Sequence, residues 1–308
     1  MKFGFVANFT DYIAKFAAGA GFDGLEMFVG SIMEFARGVE VNDMTESDAA
    51  RFMEPLNELG IGFTTLSCNP IHLHGDPAKR ADYTAEFKKT LRVCKRFGTD
   101  TVVTNAFCDV TKSPSDNISC YKKVFSEYAK IADGEGVRIA IENCPHWHGD
   151  PPAIGNIAYS PEMWDALFDA VPDKAIGLQF DPSHLVWQGI DYLRAIKEYG
   201  SRIYAFHAKD TEILRDQKYR FGVLGRKLGE GTEWPGGWWR YRIPGFGEVD
   251  WKGIFNALYE LDYSGPMVIE HEDPVFGGDR SENGLEIGPR TEKGLKLGLS
   301  YLKNLDII

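Results

Sequence analysis

The chain has 308 residues, of which 44% are hydrophobic and 26% charged, a composition that excludes general disorder and leaves room for two ordinary domains or one large α/β domain. A formal net charge of −11 repels a phosphate backbone over most of the surface, which argues against a nucleic-acid partner and for a small, neutral or polar substrate. The five cysteines show neither a paired metal spacing nor the density of a disulfide scaffold and read as reduced thiols; the amino terminus passes straight into a strand-like run and no apolar stretch approaches the roughly 18 residues of a membrane span, so a cytoplasmic protein with no membrane partner is expected.

In chain order, the strand-like run Lys2–Val6 precedes a helical pattern at Tyr12–Ala20. Runs at Gly24–Val29 and Gly62–Leu66 read as strands, followed by helical periodicity over Asp82–Phe97. Thr101–Thr104 leads to a helix at Tyr121–Ile131, and Val137–Ile141 and Ala175–Phe180 are the next strands. A helix at Tyr192–Tyr199 precedes the strand Arg202–Phe206; Trp251–Leu261 is helical, Gly265–Ile269 is the eighth strand, and a last helix covers about Arg290–Leu302. Such alternation predicts a parallel sheet. Eight βα units in this length, with no Pro- or Ser-rich linker, predict an α/β protein of one (β/α)₈ domain over residues 1–308, a TIM barrel. The stretch of about 208–250 between the seventh strand and its helix is unusually long. It carries Trp234, Trp238, Trp239 and Tyr241, read either as a surface loop with its own aromatic core or as a wall that stacks on a sugar ring.

Glu142, Asp181, His207 and Glu270 each stand at the downstream end of one of these runs. In a barrel all strand carboxyl ends open on one face, so four residues distant in sequence become neighbours there. Three carboxylates and one imidazole form a hard, oxygen-rich set that suits one Mn²⁺ or Mg²⁺, with Co²⁺ as a workable substitute and Zn²⁺ a poorer match.

The segments Ile141-Glu142-Asn143, Phe180-Asp181-Pro182-Ser183-His184, Phe206-His207-Ala208-Lys209-Asp210, Gly245-Phe246-Gly247-Glu248-Val249-Asp250-Trp251 and Ile269-Glu270-His271-Glu272-Asp273 resemble the sugar phosphate isomerase/epimerase superfamily, the xylose isomerase-like barrels. The resemblance spans the chain and keeps strand order. Through the ketose 3-epimerases it implies that Glu142, Asp181, His207 and Glu270 bind one metal, that Glu142 and Glu270 exchange protons on opposite faces of the substrate, and that His184 holds a substrate oxygen. The implied reaction is proton abstraction next to a carbonyl of a sugar or keto-sugar, where the enediolate charge develops beside a dication, giving isomerisation or epimerisation.

The chain departs from the epimerases in two places: His148 stands six residues after Glu142, where they tend to carry a carboxylate, and Ile213 six after His207, where they have Arg. His146, Trp147 and His148 follow a metal-ligand position directly, with Trp147 and His148 expected on the substrate and His146 either bonded within its loop or acting as a general base or acid near neutral pH. That arrangement is similar to the large subunits of C-glycoside deglycosidases, which implies an alternative β-elimination from 3-oxo-glycosides with His146 as base, and a small partner subunit. Analogy also implies a homo-oligomer. Arg242 reaches either a substrate oxygen or Glu248, and Lys209 either polarises a carbonyl or neutralises Asp210. Glu26 and Asn105 line the pocket or cap loops, His72 and His74 invite a second-metal reading that needs more His ligands than the sequence offers, and His271 turns away from the pocket. A non-catalytic carbohydrate-binding barrel is the alternative of another class, opposed by the intact four-ligand set.

Overall fold

The computed structural model describes residues 1–32, 36–41, 44–148, 153–223, 237–279 and 286–306. Eight parallel strands close on themselves: β1 (Lys2–Ala7), β2 (Gly24–Ile32), β3 (Gly62–Asn69), β4 (Thr101–Thr104), β5 (Arg138–Glu142), β6 (Ile176–Phe180), β7 (Ile203–Ala208) and β8 (Pro266–Ile269). Each pairs with its neighbours in sequence, and β1 closes the ring by pairing with both β2 and β8, with Gly4 opposite Gly24 and Lys2 opposite Pro266. A closed parallel sheet is covered by helices outside and by its own side chains inside, which is why β4, β6 and β7 are buried along their whole length.

Alternation along the strands decides what faces the barrel axis. On β5, Ile139 and Ile141 belong to the large core between sheet and helices, whereas Ala140 falls in a small separate cluster with Val103 and Ala205. Glu142 therefore shares the inner face with Ala140, and His207 shares it with Ala205.

The helix Pro77–Val93 begins before the predicted Asp82 because Asp76 caps it and Pro77 occupies its first turn. Pro114–Glu135 likewise starts at a Ser113 cap, well upstream of Tyr121. Further helices, absent from the sequence reading above, stand at Glu46–Glu58, Pro161–Ala170, Pro182–Gln188 and Arg215–Phe221. The first buries only Ala49 and Leu56 among its described side chains, so its apolar stripe is thin; its legible signal is the Thr45/Asp48 capping box. The long segment after β7 contains an antiparallel hairpin, Asp210–Ile213 with Trp239–Arg242. Asp210 anchors its base by accepting from the Gly245 and Val249 amides and from Trp251 Nε1. Trp234 lies outside the described residues. Among those described, no helix is long and apolar enough to cross a membrane.

Candidate active site

Glu142 is the last residue of β5, Asp181 follows β6, His207 lies within β7 and Glu270 follows β8. Glu142, Asp181 and His207 are at most 7% exposed, so their charges must be met inside the protein. Ligand atoms of Glu142, Asp181, His184 and Glu270 all lie within 4.8 Å of one another. His207 borders two members of this group: its Nδ1 is 3.2 Å from Glu142 Oε1 and 3.3 Å from Glu270 Oε2. The three expected carboxylates thus converge with two imidazoles, since His184 Nε2 stands 3.2 Å from Asp181 Oδ2 and 3.6 Å from Glu142 Oε1.

Local structure fixes each group. Asp181 is the N-cap of the helix Pro182–Gln188, its Oδ1 accepting from the Ser183 amide at 2.8 Å, which leaves Oδ2 to face the site. The same short helix carries His184 one turn on, aligned by Tyr241, whose hydroxyl lies 3.0 Å from His184 Nδ1. Asn143 clamps the Asp181 backbone from both sides, donating to its carbonyl and accepting from its amide. Asn105 donates to Glu142 Oε2 at 3.1 Å, the pocket-lining alternative among those read from sequence. Asn156 ties the loop after β5 together: its Nδ2 donates to the Glu142 and Cys144 carbonyls and its Oδ1 accepts from the Ala106 and Ala158 amides.

Lys209, 2% exposed, pairs not with Asp210 but with the site acids. Its Nζ lies 3.3 Å from Asp181 Oδ2 and 2.9 Å from Glu272 Oε2, donates to Glu270, and sits over the Tyr241 ring at 4.5 Å. Burial alone would lower the ammonium pKa, but Glu270, Glu272 and Asp181 raise it well above the usual lysine range. Burial likewise pushes Glu142 up, and the His184 and His207 hydrogen bonds overcome this and hold it well below the usual carboxylate range. Glu270 is brought down to about 2, burial again being outweighed, here by Lys209. All three charges are therefore carried at neutral pH.

At the centre, Asp181 Oδ2 lies between His184 Nε2 at 3.2 Å and Lys209 Nζ at 3.3 Å, all three buried. Three carboxylates with an imidazole nitrogen beside them are a hard, oxygen-rich donor set, which fits Mn²⁺ or Mg²⁺.

His146 occupies the left-handed region at φ 46° and sits edge-on to Phe107, with ring centroids 4.6 Å apart. Burial would lower its pKa, and contact with the Cys144 thiol raises it instead; Cys144, pushed up by burial, is brought down to about 7 by His146 and His184. Trp147, Trp187 and Trp239 stack nearly parallel, with Trp187 6.1 Å from Trp147 and 4.5 Å from Trp239, and Trp238 packs edge-on against Trp239. The side chain of His148 lies outside the described residues. Arg242 is turned to Glu212 and Asp273; Glu248, its expected partner, is taken by Arg215. His72 is sealed between Tyr128 and Thr104 and His74 accepts from the Asp76 amide, so neither joins the carboxylates. His271 packs against Gly294 of the last helix, away from the mouth.

Sequence reasoning gave no part to Glu272, Gln179, Thr65 or Asn156. The first two stand two residues from Glu270 and Asp181, and strand alternation applied from each of those acids points to them.

Residues 14–305 match the xylose isomerase-like TIM barrel family. The chain is 29% identical over 289 residues to the uncharacterized protein YfiH of Bacillus subtilis, covering 84% of this chain and 87% of that one. It is 31% identical over 150 residues to inosose dehydratase of Clostridium perfringens, spanning less than half of each protein, 46% and 45%. Among solved structures, D-psicose 3-epimerase from Clostridium cellulolyticum H10 superimposes with a TM-score of 0.69 at 16% identity over 99% of both chains, a likeness of fold.

Proposed function

Because the chain belongs to the xylose isomerase-like TIM barrel family, we propose that it is an enzyme whose barrel mouth holds one Mn²⁺ or Mg²⁺ through Glu142, Asp181, His207 and Glu270. It removes the proton next to the carbonyl of a sugar or keto-sugar and isomerises or epimerises it. The observation that carries this reading is the convergence of three carboxylates and two imidazoles at the barrel mouth.

The two imidazoles differ in what holds them. His207 Nε2 faces the carboxylate of Glu26 and Nδ1 that of Glu142, both acceptors, so each nitrogen carries a proton in the metal-free protein and a dication at the site would displace the one on Nδ1. His184 is held by a phenol that donates or accepts, so its tautomer is not fixed from behind and its Nε2, beside Asp181 and Glu142, can turn to a substrate oxygen. His207 is therefore the ligand and His184 the substrate contact. When bound, the dication supplies Lewis acidity at the substrate oxygens, favouring loss of the neighbouring proton. Glu142 and Glu270 are the two bases, and Lys209 keeps Glu270 ionised until it takes a proton.

A second reading, β-elimination, is favoured by the similarity to inosose dehydratase and by His146 beside Cys144. It shares the proton abstraction and differs in expelling a hydroxyl or aglycone from the adjacent carbon, with His146 as base.

The test is mass spectrometry of substrate panels, free ketoses, inososes and 3-oxo-glycosides, incubated with Mn²⁺-loaded protein in D₂O. Deuterium gained next to the carbonyl with the skeleton intact supports isomerisation or epimerisation. Loss of water or of an aglycone moves the assignment to elimination, and no exchange with any member contradicts the proposal.

A further inference from the structure

Glu26 is 1% exposed and lies on β2, across the barrel from the ligand strands. A carboxylate in that position is costly unless its oxygens are met, and here three donors meet them. His207 Nε2 approaches Oε1 at 3.2 Å, while Thr65 Oγ1 and Gln179 Nε2 donate to Oε2 at 2.6 and 2.7 Å. Thr65 is the register partner of Glu26 on β3, and Gln179 comes from β6. With Oε2 tied to two strands, Oε1 has one direction left, and His207 fills it.

We infer that Glu26 is a positioning residue that selects His207 over His184 as the metal-ligating imidazole by keeping the Nε2 proton in place, so that the proton a bound dication displaces is the one on Nδ1 that now faces Glu142 and Glu270. The inference rests on the metal-site reading above and adds to it the reason the two histidines divide their roles. A carboxylate behind an imidazole fixes its tautomer and raises its basicity as a ligand, and loss of such a partner weakens metal binding about 10–100-fold. Tyr241 behind His184 does neither, being neutral and able to donate or accept.

Glu26→Gln removes the charge and keeps the shape. The new amide still offers an oxygen to His207 Nε2, and the clash of its NH₂ with the Gln179 NH₂ is relieved by turning the Gln179 amide, whose Oε1 is buried without a partner. The variant is thus expected to fold. Thr65→Val is the control, since it loosens Glu26 without altering the charge that faces His207.

Mn²⁺ affinity is measured by electron paramagnetic resonance titration of the metal-free proteins, beside their thermal midpoints. Nitrogen-15 spectra of the Mg²⁺-loaded wild type locate the His207 proton. The expected result is an affinity about 10–100-fold weaker in Glu26→Gln, within about threefold of wild type in Thr65→Val, and a proton on His207 Nε2. Unchanged Mn²⁺ affinity in Glu26→Gln, an equal loss in Thr65→Val, or a proton on Nδ1 overturns the inference while leaving the metal site standing. A wild type that binds no Mn²⁺ sinks the metal-site reading, and this inference with it.

Discussion

Replacing Lys209 by Met tests the electrostatics of the barrel mouth directly. Unit charges separated by the 3.3 Å between Lys209 Nζ and Asp181 Oδ2 attract by roughly 5 kcal/mol at an effective dielectric of about 20. The Glu270 arm adds to this, whereas the Glu272 side chain is 43% exposed and its arm counts for little. Recovering the desolvation of the ammonium offsets part of the loss, but the acids left behind are uncompensated, and breaking a buried pair from one side costs about 3–5 kcal/mol. At about 2 °C per kcal/mol for a chain of this size, the metal-free variant melts roughly 6–10 °C below metal-free wild type. Saturating Mn²⁺ then raises the midpoint of Lys209→Met by more than it raises that of wild type, because the dication restores positive charge among Asp181, Glu270 and Glu142. Scanning calorimetry of both proteins with and without Mn²⁺ reads all four midpoints. A metal-free variant melting within about 2 °C of wild type, or gaining no more from Mn²⁺, refutes the reasoning.

Glu270→Gln keeps the volume and removes one ligand charge; Mn²⁺ affinity by calorimetric titration falls by about 2.7 kcal/mol or more, a hundredfold, and deuterium exchange into substrate stops. Asn156→Ala leaves the Glu142 and Cys144 carbonyls and the Ala106 and Ala158 amides without their partner, so urea unfolding shows a loss of about 2–5 kcal/mol. Burial lowers the pKa of His72 to about 3, so between that value and the unfolded value near 6.5 the unfolded chain binds the extra proton and stability rises with pH. From pH 7 to pH 5 metal-free wild type therefore loses about 2 kcal/mol through this group, and His72→Gln, less stable at pH 7, loses that much less over the same interval in urea titrations at the two pH values.

The barrel and the meeting of Glu142, Asp181, His207 and Glu270 were legible because each stands at the end of an apolar run whose period is set by the sheet, and closing the sheet brings those ends together whatever the intervening sequence. Helices such as Glu46–Glu58 were not, since a surface helix that buries few side chains leaves a weak apolar stripe and declares itself through its cap. The acids and imidazoles of the site were legible as types; their partners were not. Glu26 reaches His207 from 181 positions away, and Tyr241 reaches His184 from 57, distances over which no local pattern operates. Lys209 shows the same limit: beside Asp210 in sequence, it points to Asp181, Glu270 and Glu272 because successive strand residues face opposite ways.

The ligand set is the centre of the account, and anomalous diffraction from a crystal of the Mn²⁺-loaded protein tests it most directly. The prediction is one full-occupancy peak at about 2.0–2.3 Å from oxygens of Glu142, Asp181 and Glu270 and from Nδ1 of His207, with His184 outside the coordination sphere. A peak bound by His184 in place of His207, or manganese found only away from these carboxylates, contradicts it.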